Sequence, residues 1–328
     1  MVIERYLITG ANGFIGNKLC SFVRSKNQQI TMFSRAQTRQ FEGRSYVGNI
    51  EDALDPNLMK GVHAVFHLAG VAHSSMCDSS KTRTHYQQIN VGGTKSILEL
   101  AIKSGVKKFV LFSSVKAGGE VQNKCLNEES SCVPVDVYGQ SKLEAERCVL
   151  ELGKSAGVHT CVLRPALVYG VGMKGNLYQM LKTIDNGRFP PLPDIPNRRS
   201  MVSLDDLIQA AWLVMHADSA NGKVYIVEDG EWYSSSRIYL AMLSALDRQP
   251  SKFKLPGCLF RLLASLGDIC KKVGVSQPPF DSSHYLRLFG SIYYSSHNIQ
   301  NELGWRPKQT FEDVLPEIIS WYKMSKNK

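Results

Sequence analysis

The chain has 328 residues, 43% of them hydrophobic and 21% charged, enough to bury a large core in one big domain or two unequal ones. With 39 Lys and Arg against 29 Asp and Glu, its formal net charge is +10, which suits an acidic ligand, a nucleic acid or an anionic surface without choosing among them. No apolar run approaches the roughly 18 residues of a membrane span, no export signal opens the chain, and eight scattered cysteines form no Cys-x-x-Cys, so a membrane span, a secreted disulfide framework and a zinc site are set aside and a cytoplasmic enzyme is predicted.

The first informative stretch is Tyr6-Leu-Ile-Thr-Gly-Ala-Asn-Gly-Phe-Ile-Gly16. A short apolar strand leads to Gly10, Gly13 and Gly16, and Ile15, Leu19, Phe22 and Val23 then recur at helical spacing. Glycines permit a tight turn and a close backbone approach, and the helix end behind them favours an anion, so the stretch predicts a dinucleotide-binding turn. Residues 29–34 read as the second strand, 52–60 as a helix and 64–70 as a buried parallel strand. The alternation continues with a helix over 90–104, a strand over 107–114, a helix over 137–156 and a strand over 160–164 closed by Pro165. Parallel neighbours need helical crossovers, so the predicted fold class is α/β with a doubly wound sheet.

Gly172, Gly175 and the prolines between 190 and 196 break this rhythm. A helix over 204–215 and a strand over 223–228 return to the sheet, and the rest is helical and irregular. The expected division is residues 1–173 with 202–230 for the dinucleotide, and 174–201 with 231–328 as a discontinuous cap over the carboxyl edge of the sheet. Residues 258–272 are apolar with a basic end; a packed cap helix is the favoured reading and a membrane-surface helix the alternative.

The second motif is Tyr138-Gly-Gln-Ser-Lys142 at a helix start. Residues four apart share a helical face, and a neighbouring ammonium stabilises a phenolate, so Lys142 is expected to bring Tyr138 toward the range useful near neutral pH. The earlier strand ends in Ser113-Ser114, placing a hydroxyl at the same carboxyl edge.

Taken in order, Thr9 to Gly16, His67-Leu-Ala-Gly70, Asn90-Val-Gly-Gly-Thr94, Phe112-Ser-Ser114, Tyr138 to Lys142, Leu163-Arg-Pro165, Tyr169-Gly170 and Leu303-Gly-Trp305 resemble the extended short-chain dehydrogenase/reductase superfamily, in its nucleotide-sugar epimerase, dehydratase and reductase branch. The resemblance implies a Rossmann sheet with Tyr138 as acid/base, Lys142 holding the nicotinamide ribose and tuning Tyr138, and Ser114 bonding the substrate oxygen. It implies that Gly10, Asn12, Gly13, Phe14, Ile15 and Gly16 face the pyrophosphate. Ser34, Arg35, Asn49 and Ile50 would lie toward the adenosine, and Leu68, Ala69, Gly70, Asn90 and Pro165 along the cofactor. For a UDP-sugar substrate it implies Lys116, Asn176, Arg199 and Arg287, with arginine suited to gripping two phosphate oxygens at once. Arg198 or Arg199 could instead be a solvated loop charge, and so could Arg287. A homodimer through 90–104 and 138–152 follows by analogy.

Two departures matter. Gly118-Gly119 stands where the epimerases place a Tyr-Gly pair, altering the floor of the sugar site. The second strand ends in Ser34-Arg35, with Arg39 nearby, where an NAD site offers an acid to the ribose; this favours NADP(H) over NAD(H), with a plain surface arginine as the alternative. Ser113-Ser-Val-Lys-Ala-Gly-Gly-Glu120 with Asn197-Arg-Arg-Ser-Met-Val202 most resembles a subgroup of the family, and the function this resemblance implies is reduction of a UDP-4-keto-6-deoxy-N-acetylhexosamine in bacterial surface-polysaccharide (O-antigen) biosynthesis. The alternatives are a UDP-glucose or UDP-N-acetylglucosamine 4-epimerase with tightly held NAD, and a non-catalytic dinucleotide sensor. Val115-Lys116 replaces the Asp-Glu pair of the family's dehydratases, and the spread of basic residues without a recognition signature argues against a nucleic-acid partner.

Overall fold

The computed structural model describes residues 2–37, 41–72, 80–251, 255–273, 275, 278 and 280–326. The strands are β1 (Arg5–Thr9), β2 (Gln29–Ser34), β3 (Arg44–Val47), β4 (Ala64–His67), β5 (Lys108–Phe112), β6 (Cys125–Leu126), β7 (His159–Pro165), β8 (Leu167–Tyr169), β9 (Met201–Ser203), β10 (Lys223–Val227) and β11 (Tyr293–Tyr294). The helices are α1 (Phe14–Ser25), α2 (Ser80–Tyr86), α3 (Thr94–Lys103), α4 (Val137–Ala156), α5 (Asn176–Asp185), α6 (Leu204–His216), α7 (Ser235–Ala245), α8 (Gly257–Lys272), α9 (Ser282–Phe289), α10 (His297–Leu303) and α11 (Phe311–Lys326).

Among the described residues the central sheet has seven strands in the order β10-β7-β5-β4-β1-β2-β3, and every pairing in it is parallel. This is the doubly wound Rossmann-type sheet the sequence predicts. The chain runs from β1 outward to β3, then crosses to β4 on the other side of β1. The reversal opens a crevice at the carboxyl ends of β1 and β4, where such sheets bind ligands.

Side chains alternate between two covered faces. Tyr6, Ile8, Val110 and Phe112 pack with α1 and α6, while Leu7, Val65, Phe109 and Leu111 pack with α3 and α4. Burial on both faces explains why these strands read as continuous apolar runs. A separate apolar core gathers Tyr169, Leu177, Leu181 and Met201 with Tyr233, Met242, Phe311 and Ile318. Ile299 and Trp305, although late in the chain, pack instead with the sheet core.

Three elements depart from the sequence reading. The helix expected over 52–60 is only a tight turn over Pro56–Met59, opened by Asp55 accepting from the Asn57 N–H at 2.8 Å. The strand β3 was missed because Arg44-Ser-Tyr-Val47 is a short, half-exposed edge strand with little apolar content. The helix predicted from Asn90 begins earlier, at Ser80, and its turn over Gln87–Gly93 widens to a π-helix before α3. Such bulges cluster at functional sites, and this one carries Asn90.

Candidate active site

Strand β1 delivers Gly10 to the crevice with a φ of +68°. A Cβ there would lie 3.0 Å from the Ala69 nitrogen, and one at Gly16 would lie 2.3 Å from the Gly10 carbonyl oxygen, so two loops approach more closely than side chains permit. Helix α1 begins at Phe14 and Ile15, and Gly13 before it supplies no side-chain cap. The first N–H groups of the helix therefore point to the crevice as donors for an anion. At the end of β2 the buried Ser34 Oγ and the Asn12 Nδ2 each donate to the Ala36 carbonyl at 2.7 Å, and Arg35 is exposed beside them. Arg39 lies outside the described residues. Asn49 bonds Asp52 at 3.1 Å, and Ile50 is buried where a Cβ on Gly93 would meet it at 2.7 Å.

Beneath these loops runs a buried polar chain that the sequence reading missed. Thr9 Oγ1 accepts the N–H groups of Leu68 and Ala69, each at 3.1 Å, and meets His67 Nδ1 at 2.8 Å. The other imidazole nitrogen meets Thr94 Oγ1 at 3.0 Å, and Thr94 donates onward to the Asn90 carbonyl at 2.6 Å. Since Thr94 spends its proton on Asn90 and Thr9 already accepts twice, the network assigns the His67 proton to Nε2. Burial, with the charge of Lys142 nearby, holds His67 neutral, its pKa pushed down to about 3.

Asn90 gathers the next layer. Its amide donates to the Val71 carbonyl at 3.1 Å and to Ser141 Oγ at 3.0 Å, and its oxygen accepts from the Val71 N–H at 2.8 Å. A Cβ on Gly70 would sit 2.9 Å from that oxygen and 3.6 Å from Lys142 Nζ. Gly70, Asn90 and Lys142 thus converge on one wall of the crevice.

The three candidate catalytic residues come together at the carboxyl edge. Helix α4 starts at Asp136, whose carboxylate accepts the Gly139 N–H at 2.7 Å and so fixes the turn bearing Tyr138. Ser114 caps the short turn of 115–117 by accepting from the Lys116 N–H at 3.3 Å, and its hydroxyl lies near the Tyr138 phenol, favouring the phenolate. Lys142 is buried and donates to the Phe112 carbonyl at 2.9 Å. Burial drives its pKa down to about 8, against the charge of Glu146, which raises it.

The expectation for Tyr138 is corrected here. Burial raises the phenol to about 12, Asp136 and Tyr86 add to that, and the Ser114 hydroxyl opposes it. Lys142 is not among the groups that shift it, and its ammonium donates to the Phe112 carbonyl. The Tyr86 ring lies 5.9 Å from that of Tyr138.

A second feature unrecognised in the sequence underlies the triad. Arg164 on β7 grips Glu146 on α4 through two parallel bonds, Nε to Oε1 at 3.0 Å and Nη2 to Oε2 at 2.6 Å, with side-chain exposures of 4% and 2%. Ser113 donates to the same carboxylate. A Cβ on Gly118 would come within 3.1 Å of Arg164, so the arginine also supports the altered Gly118-Gly119 floor. The signal was present: Glu146 lies four residues beyond Lys142 on one helical face, and Arg164 interrupts an apolar strand.

The residues expected to meet substrate are placed less uniformly. Lys116 is held by Asp136 at 2.6 Å and Glu120 at 3.6 Å, which raises its pKa. Arg199 is half-buried and donates to the Leu286 carbonyl at 3.1 Å and to that of Arg287, capping α9 rather than standing free. Arg198 turns the other way and stacks 4.6 Å over Trp232. Arg287 is exposed and touches Ser283 at 3.3 Å, and Asn176 is exposed at the first position of α5. Pro165 is buried at the end of β7.

Residues 6–227 match the model of the NAD dependent epimerase/dehydratase family. A UDP-glucose 4-epimerase of Vibrio cholerae is 28% identical over 98% of this chain and 96% of its own. A 3 beta-hydroxysteroid dehydrogenase/Delta 5→4-isomerase of Mycobacterium tuberculosis is 26% identical over 98% of this chain and 90% of its own. The solved structure of MoeE5 in complex with UDP-glucose and NAD superposes with a TM-score of 0.79, at 20% identity, over 98% of this chain and 100% of that one.

Proposed function

The chain belongs to the NAD dependent epimerase/dehydratase family, and on that premise we propose that it is a nicotinamide-dependent enzyme acting at C4 of a UDP-hexose. The observation that carries this reading is the Ser114 hydroxyl set near the Tyr138 phenol, beside the buried Lys142 at the carboxyl edge of the sheet. The glycine turn, the uncapped start of α1 and the wall of Gly70 and Asn90 suit a dinucleotide in the adjoining crevice. Bound there, the cofactor supplies or accepts the hydride. Tyr138 passes its proton to or from the O4 atom, and Ser114 orients that oxygen with its hydroxyl. Lys142 keeps a positive charge near the reacting centre and offers an N–H to the nicotinamide ribose. Residues 1–173 with 202–230 would hold the cofactor, and 174–201 with 231–328 the sugar nucleotide, gripped by Asn176, Arg199 and Arg287. Tyr138→Phe should lower turnover by roughly 10²–10⁴-fold with cofactor affinity unchanged; full activity in that variant would refute the assignment.

The finer reading is a reductase of UDP-4-keto-6-deoxy-N-acetylhexosamines using NADPH, in bacterial surface-polysaccharide synthesis. Its support is the end of β2, where the exposed Arg35 puts a cation in place of the acid an NAD site uses. A second reading, a UDP-hexose 4-epimerase with NAD, is favoured by the V. cholerae relative that spans the whole chain. Incubating the protein with NADPH or NADH and a UDP-4-keto-6-deoxysugar separates them. The reductase consumes NADPH in step with sugar reduced, whereas the epimerase interconverts UDP-glucose and UDP-galactose without net cofactor use.

A further inference from the structure

Helix α8 is amphipathic in an inverted sense. Its inner face, Phe260, Ala264 and Gly267, is buried. The Phe260 ring packs 5.1 Å from that of Phe289, and a Cβ on Gly267 would lie only 1.9 Å from the Phe280 carbonyl oxygen. The approach is so close that the helix cannot roll its other face inward. That other face is apolar: Leu262, Leu266, Ile269 and Val273 recur at the spacing of one helical stripe, with exposures of 57%, 49%, 55% and 74%, and Leu263 widens it.

The charges around the stripe say what covers it. Arg261 and Lys272 share one edge of the stripe, and among the described residues neither makes an ion pair; Arg261 bonds only the Tyr285 hydroxyl, at 3.1 Å. Lys271, further round, is spent on the buried Asp281, and Asp268 is held by Ser282. The border thus carries two cations, Arg261 and Lys272, against the one carboxylate of Asp268, a positive balance on a chain of net charge +10. A two-fold contact with a second copy would bring like charges together, whereas a lipid bilayer with anionic headgroups takes both parts at once: aliphatic side chains enter the acyl boundary, and the basic pair meets the phosphates.

We propose that α8 docks the protein on an anionic membrane surface, as a peripheral contact. Among the described residues no helix is long and apolar enough to span the bilayer. The inner face of α8 packs on α9, whose terminal carbonyls hold Arg199, so the docking helix connects through α9 to the proposed phosphate grip.

The test is flotation of the full chain with vesicles of phosphatidylglycerol and phosphatidylcholine, or of phosphatidylcholine alone, at low and high salt. We expect association with the anionic vesicles that weakens with salt. Leu262→Glu with Leu266→Glu should abolish it at an unchanged thermal melt, and Arg261→Gln with Lys272→Gln should weaken it on the order of tenfold or more. A Leu266→Trp probe should shift its emission to the blue on binding. No association, equal association with neutral vesicles, or an unshifted probe would overturn the proposal. So would a Leu262→Glu/Leu266→Glu variant whose only change is from dimer to monomer in sedimentation, which would give the stripe to a second copy. None of these readouts depends on turnover.

Discussion

The centre around Ser114, Tyr138 and Lys142 and the surface carrying Arg198, Arg199 and Arg287 are both rich in polar side chains, and they differ in what holds those side chains. At the centre each group is fixed by a partner that is itself fixed. Glu146 takes Arg164 and Ser113, Asn90 takes Val71 and Ser141, and His67 sits between two threonines. On the substrate side the arginines find carbonyls, an aromatic ring and a hydroxyl, and their heads stay wholly or partly in solvent. Desolvation explains the contrast: a polar group removed from water must be satisfied within the fold, while one in water is indifferent to most geometries.

The largest test of that contrast is the pair beneath the triad. Glu146→Gln or Arg164→Met alone should destabilise the fold by about 3–5 kcal/mol, because each leaves its partner's charge buried and unpaired. Replacing both with apolar residues should cost much less than the sum, as urea unfolding of the two singles and the double would reveal. A double variant no better than the sum would mean the pair is not acting as a unit.

A second buried group links the sheet to the other core. Asp229 accepts the hydroxyls of Tyr169 and Tyr233, each at 2.8 Å, yet burial dominates and raises its pKa to about 7. The folded state therefore binds more protons than the unfolded chain between the ordinary aspartate value, near pH 4, and about pH 7. Stability from this group should fall as pH rises through that window, with a slope of at most about 1.4 kcal/mol per pH unit. Asp229→Asn should flatten it; an unchanged slope in denaturation series across that range would place the titration elsewhere.

Smaller effects are expected on the substrate side. Arg199→Ala removes a charged donor from two α9 carbonyls in a half-buried place and should cost about 1–2 kcal/mol in unfolding, alongside a raised KM for UDP-sugar under the proposed function. Arg287→Ala should change stability by no more than about 0.5 kcal/mol. If Arg287→Ala destabilised as much as Arg199→Ala, the division between held and solvated arginines would fail.

Much of the fold was legible because burial on two faces writes itself into a strand as an unbroken apolar run, and a crossover helix as a period near 3.6. The runs at Tyr6–Ile8, Val65–Phe66 and Phe109–Phe112 and the helix from Val137 were readable for that reason. Edge strand β3 was not, since one solvated side leaves no such run. The glycine turn and the Tyr138–Lys142 spacing were equally legible, because both are local: a turn, and one face of one helix.

By itself, then, the sequence determined the α/β class, the glycine turn after β1 and the identity of the Ser, Tyr and Lys that meet at the sheet edge. Only the tertiary structure decided their electrostatic state. Burial raises the Tyr138 phenol, and the Lys142 ammonium is taken by the Phe112 carbonyl, thirty residues away in the chain. It was also the tertiary structure that paired Glu146 with Arg164, turned Arg199 to α9 and left the stripe of α8 outward. Each is a contact between residues distant in sequence, and no local spacing encodes a contact whose two halves are brought together only when the chain closes on itself.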